Sequence, residues 1–96
     1  VMNSEVEIFV ITNGRSTFPY ALKSAENQDI DVKITVIRNM KWVDALRQCL
    51  QECQSTYYLR QDDDMFIHPF CVRYLLQKAK KVRNLCAYIG KLWEDW

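Results

Sequence analysis

Residues 5–12, EVEIFVIT, decide how the chain is read. After two acids, Phe9, Val10 and Ile11 stand in a row with no polar residue between them. Such a run predicts a strand buried on both faces, which is what a parallel sheet covered by helices demands. Asn13-Gly14 then breaks the strand. Ser16 or Thr17 offers a helix cap, with Pro19 tolerated in the first turn. Phe18, Leu22 and Ala25 recur at helical spacing, so a helix is expected over 18–27.

The same alternation continues downstream. VKITVIR at 32–38 is β-branched and strand-like, and Asn39 stops it in a position to cap the next helix. Val43, Leu46, Leu50 and Cys53 mark the expected buried face of a helix over 41–54. TYYLRQ at 56–61 reads as a third strand, followed at once by Asp62-Asp63-Asp64. His68-Pro69 opens a third helix over roughly 69–83, with Val72, Leu75, Leu76, Ala79 and Val82 as its stripe. CAYIG at 86–90 reads as a fourth strand. The order β-α-β-α-β-α-β predicts an α/β fold: a three-layer, Rossmann-like, mostly parallel sheet of about four strands with about three helices and right-handed crossovers.

Composition sets the outer bounds. A chain of 96 residues is expected to form a single domain over 1–96. Its 49% hydrophobic and 26% charged content excludes wholesale disorder. Thirteen basic against twelve acidic residues leave +1, which argues against a nucleic-acid-coating protein. No apolar run is long enough to predict a transmembrane segment, and the acids ahead of the first apolar run are unlike a secretory signal. Cys49, Cys53, Cys71 and Cys86 all lie inside apolar periodic segments. Reduced core thiols, and with them a cytoplasmic setting, are the expectation; a zinc site is the sharper alternative, without finger-like spacing to support it.

In open parallel sheets, ligands bind beyond the carboxyl ends of the strands. That rule selects the loops Thr12 to Thr17, Arg38 to Lys41 and Gln61 to His68. Three consecutive carboxylates in the last of them repel one another unless a cation neutralises them or they face open water. A hard ion such as Mg²⁺ or Mn²⁺ prefers carboxylate oxygen and keeps positions open for phosphate. In an extended chain Asp62 and Asp64 point the same way and Asp63 the opposite way, so Asp62 and Asp64 are the expected metal pair. The competing reading is an exposed acidic turn. Arg15 in the first loop could pair with a diphosphate, against a plain surface turn. His68 suits a cap or surface position better than a ligand role. The six basic residues between Asp64 and Glu94 fit a solvated helix face better than an anion site. GxGxxG, GxxxxGK[ST] and GxSxG are all missing, which disfavours a Rossmann oxidoreductase, a P-loop kinase or an α/β-hydrolase.

With these pieces assembled, the chain resembles the start of a GT-A fold glycosyltransferase, similar to family 2. EIFVITNGRSTFPYALKSAENQ matches the first strand, loop and helix; VKITVIRN matches a second strand; WVDALRQCLQECQSTYYLRQDDDMFIHP matches helix, strand and acidic motif. The family's DxD motif falls on Asp62-Asp63-Asp64. The resemblance implies a nucleotide-diphosphosugar donor bound through Mn²⁺ or Mg²⁺, with transfer of the sugar to an acceptor hydroxyl. It implies Asp64 as main metal contact and Asp62 on metal or ribose. It further implies Thr12, Asn13, Arg15, Asn39, Asp62 and Asp63 around the nucleotide-sugar.

The chain departs from the family at Arg38-Asn39, where members usually carry an acid for the base. The helix and strand that commonly separate that site from the DxD helix are also missing. The family's catalytic base lies in an acceptor half beyond the DxD strand. Here the later acids are Glu94 and Asp95. Asp95 is the candidate base they offer, against the plainer reading of a charged tail. The expectation is therefore a donor-binding portion whose acceptor is unknown and which binds rather than turns over. A non-catalytic α/β module that self-associates as a homodimer through an open edge and the aromatic tail (Trp93, Trp96) is the alternative. A Mg²⁺-dependent phosphotransfer or hydrolase domain using the same acids ranks last, because no nucleophile or lysine partner accompanies them.

Overall fold

The computed structural model describes residues 5–81. Within them the chain runs β1 (Val6–Thr12), α1 (Phe18–Glu26), β2 (Lys33–Arg38), α2 (Trp42–Glu52), β3 (Tyr57–Asp62) and α3 (Cys71–Lys80). The three strands form one parallel sheet in the order β2-β1-β3. Strands and helices alternate as the sequence pattern predicts, with boundaries differing by at most three residues. Three strands are described rather than four. The expected fourth strand at 86–90, Val82, Cys86, Asp95 and the aromatic tail lie outside the described residues.

Central β1 explains the architecture. Its side chains alternate between the two faces of the sheet, and both faces are covered. Val6, Ile8 and Val10 pack with Ala25 of α1 and Val72 of α3 on one side. Phe9 packs with Ile37 of β2 and with Ala45 and Cys49 of α2 on the other. The result is three layers, with α1 and α3 on one face and α2 on the opposite one.

α2 buries only part of the face expected of it: Cys53 packs against the core and Leu46 is half-buried, but Val43 and Leu50 turn out. Ala45 and Cys49 are fully buried, whereas Val43 is 60% and Leu50 67% exposed. Phe9 and Ile37 already fill the space above the sheet, so the helix seats through its small side chains. Ala45 and Cys49 lie one position, about 100°, around the helix from Leu46 and Leu50. Leu50 consequently turns outward.

Among the described residues Cys49 is a buried free thiol, and Cys53 and Cys71 are half-buried free thiols. Burial pushes all three up from the ordinary thiol range.

The helix starts also differ from the simple capping scheme. Thr17 stands at the N-cap of α1, but its hydroxyl makes no cap bond and donates instead to the Asp63 carbonyl at 2.7 Å. Lys41, not Asn39, is the N-cap of α2. At the start of α3 the Gln28 side chain reaches across from the connection after α1, and its Oε1 accepts the Val72 amide at 3.0 Å. His68 Nδ1 accepts the Phe70 amide at 3.1 Å, so His68 helps shape the turn into α3.

Candidate functional site

The strand order places a topological switch beside β1. The chain leaves β1 toward β2 and returns, through α2, to β3 on the other side. In such sheets a crevice opens at the carboxyl ends where the connections diverge. A cleft of about 260 Å³ lies there, lined by Ile11, Thr12, Asn13, Arg15, Trp42 and Asp62 to Asp64. Six of the residues expected from the loops and the DxD resemblance therefore share one cleft. Asn39 does not line it. Instead its backbone amide donates to the Thr12 carbonyl at 3.1 Å, and its φ of 57° places it in the left-handed region that Asn tolerates.

Thr12 organises the junction between the two loops. Its hydroxyl donates to Asp63 Oδ2 at 2.8 Å and accepts the Gly14 amide at 3.0 Å. Gly14 supplies the turn with φ of 93°, a conformation that a side chain strains. The turn brings Arg15 back over the acids, with Nη1 3.0 Å from Asp64 Oδ2 and Nε 3.5 Å from Asp63 Oδ1.

The three aspartates have unequal environments. β3 ends at Asp62, and the Met65 amide donates to the Asp62 carbonyl at 3.1 Å, closing a turn over Asp63 and Asp64. The alternation of an extended chain thus stops at Asp62. Asp63 swings toward the loop after β1 and is only 6% exposed. Its carboxylate is engaged by Thr12 and Arg15. Asp64 is exposed and pairs with Arg15. Asp62 lines the cleft and makes no salt bridge among the described residues.

Gln61 anchors this acidic turn from beneath. It is fully buried, and its side-chain amide donates to the carbonyls of Ala21 at 2.9 Å and Met65 at 2.8 Å. Ser24 of α1 accepts the Ile67 amide at 3.2 Å. Both contacts fasten the loop after β3 to α1, so the acids stand on a braced support.

Among the described residues, no group of three or more His, Cys, Asp or Glu side chains is arranged to hold a metal ion. Asp63 is engaged by Thr12 and Arg15 and Asp64 by Arg15, so a cation held by Asp62 and Asp64 would compete with Arg15 for Asp64. Two carboxylates with water completing the shell suit Mg²⁺ or Mn²⁺ chemistry.

Ile11, Trp42 and Arg60 are the contributors that motif reading missed. Trp42 opens α2 and lines the cleft, while the Arg60 guanidinium lies over its ring at 4.1 Å. The available signal was an aromatic residue placed directly after the second ligand-side loop.

Comparison with known proteins finds no matching protein family, no matching curated protein and no matching solved structure.

Proposed function

We propose that the chain is the donor-binding part of a GT-A-type glycosyltransferase similar to family 2, taking a nucleotide-diphosphosugar together with Mn²⁺ or Mg²⁺. The observation that carries this reading is the meeting of the loops after β1 and β3 in one cleft, with Thr12, Asn13 and Arg15 opposite Asp62, Asp63 and Asp64. Asp62 and Asp64 would hold the cation, whose charge makes the diphosphate a better leaving group. Arg15 carries a guanidinium whose planar fork suits phosphate oxygens as well as carboxylates. Asp63 acts as a structural tie between the two loops through Thr12 and Arg15. Transfer to an acceptor hydroxyl requires an acceptor site and a base that these residues do not provide.

Titration calorimetry with UDP and GDP, in Mn²⁺ and again in EDTA, tests the reading. The expected result is binding that needs the divalent ion and is lost in Asp62→Ala and Asp64→Ala. Absence of nucleotide binding, or binding indifferent to both substitutions in folded protein, overturns it.

One observation favours a second reading, a self-associating module. Val43 and Leu50 put an apolar stripe of α2 into solvent. Sedimentation velocity decides between the two: a dimer that resists high salt, dissociates in Leu50→Asp and binds no metal supports the module.

A further inference from the structure

We propose that Trp42 is the stacking platform for the nucleotide's base, an inference that rests on the nucleotide reading above and gives a role to the aromatic part of the cleft lining. The cleft lining is chemically mixed. It joins the charged Asp62, Asp64 and Arg15 to the apolar Ile11 and Trp42. A ligand that suits both kinds of lining has an anionic portion joined to a flat, weakly polar ring system. A nucleoside diphosphate has this form, whereas inorganic pyrophosphate satisfies only the charged residues.

Trp42 is prepared for such contact. It is 51% exposed even though it is the first residue of a packed helix. The guanidinium of Arg60, at 4.1 Å from the ring centroid, covers part of the indole and holds its orientation by a cation–π contact. A platform fixed before binding loses little rotamer freedom when a base arrives. Arg60 and Asp62 are two residues apart on β3, so both side chains project from the same face of the sheet. The ring supported by Arg60 and the carboxylate of Asp62 therefore rise from one side of the strand. Stacking tolerates any base, so Trp42 supplies affinity for the nucleoside portion without selecting which one.

The test compares UDP, GDP and inorganic pyrophosphate, each with Mn²⁺, by titration calorimetry on the wild type, Trp42→Ala and Trp42→Phe. Far-UV circular dichroism verifies that each variant is folded. Trp42→Ala is expected to weaken UDP and GDP by roughly ten- to hundredfold. Pyrophosphate affinity should stay within about twofold, and Trp42→Phe should restore most of the nucleotide affinity. Equal losses for pyrophosphate and nucleotides, or no loss for either nucleotide, overturn the platform. If the wild type binds pyrophosphate through Asp62 and Asp64 but gains nothing from the nucleoside, the platform fails while the metal reading stands. If it binds neither, both fail.

Discussion

The Thr12 hydroxyl donates to Asp63 Oδ2 at 2.8 Å, joining residues 51 positions apart. This bond locks the end of β1 to the turn after β3 and buries a carboxylate that water would otherwise solvate. Thr12→Val keeps the shape and removes the donor, leaving the buried oxygen without that partner. It should cost about 1–3 kcal/mol in urea unfolding, while Thr12→Ser should retain most of the stability. Equal stability of the Val variant and wild type would remove Thr12 from its organising role.

Arg15 should matter more for charge than for folding. Its contacts with Asp63 and Asp64 are made by a side chain that is mostly exposed. Exposed pairs contribute about 0.2–1 kcal/mol, so Arg15→Ala should unfold at nearly the same urea concentration. With the guanidinium gone, Asp64 loses its competing cation. Mn²⁺ alone should bind a few-fold more tightly at low salt, and Mn²⁺ with pyrophosphate more weakly. Calorimetry of the two titrations reads both signs, and unchanged Mn²⁺ affinity would count against competition at Asp64.

Gln61 ties the Met65 carbonyl of the acidic loop to the Ala21 carbonyl of α1, which also accepts the Ser24 hydroxyl at 2.7 Å. Gln61→Leu removes the tie, leaves the Met65 carbonyl without this donor and should destabilise the fold by about 1–3 kcal/mol. The loop carrying Asp63 and Asp64 should loosen at the same time. Faster amide hydrogen exchange at Asp64 and Met65 than at the centre of β1 is the expected signature.

Gly14 is exposed, and a methyl group there would meet nothing within 4 Å. Its φ of 93° makes backbone strain the whole cost of a side chain. Gly14→Ala should lose about 1–2 kcal/mol, and Asn39→Gly should be close to neutral because its φ of 57° suits glycine. Chemical denaturation of the two variants side by side checks the contrast.

The thiols set an alkaline limit on stability. Burial raises the Cys49, Cys53 and Cys71 pKa values in the folded state. The contribution is fully present below the unfolded thiol pKa, about 8.5, and is lost as pH rises through the higher folded values. Thiolate absorbance at 240 nm should rise later in the folded chain than in urea. Coincident titration curves would contradict the burial account.

Much of this architecture was legible in the residues. The run through Phe9, Val10 and Ile11 announces a strand covered on both sides, and β1 is that strand. Loop positions followed from strand ends, which is why Thr12, Asn13, Arg15 and the three aspartates share a cleft. The facing of α2 was only partly legible: Cys53 packs where the stripe put it, but periodicity weighs Leu50 by size whereas Phe9 and Ile37 are met by the smaller Ala45 and Cys49. The swing of Asp63 was hidden for a different reason. Alternation holds only while a strand lasts, and β3 ends one residue earlier. Trp42 escaped notice because its meeting with Arg60 depends on how α2 and β3 pack, which no single segment encodes.

The β2-β1-β3 order has a consequence for biosynthesis. Val10 pairs with Val36 on one side and Gln61 on the other, so no hairpin can form early and the central strand must await distant partners. Chains built on such remote pairings fold slowly. On the ribosome the first half of the cleft, Thr12 to Arg15, emerges long before the acidic half. A nascent chain halted before residue 57 presents that loop with nothing opposite it. The cleft should thus be closed only when β3 has paired beside β1.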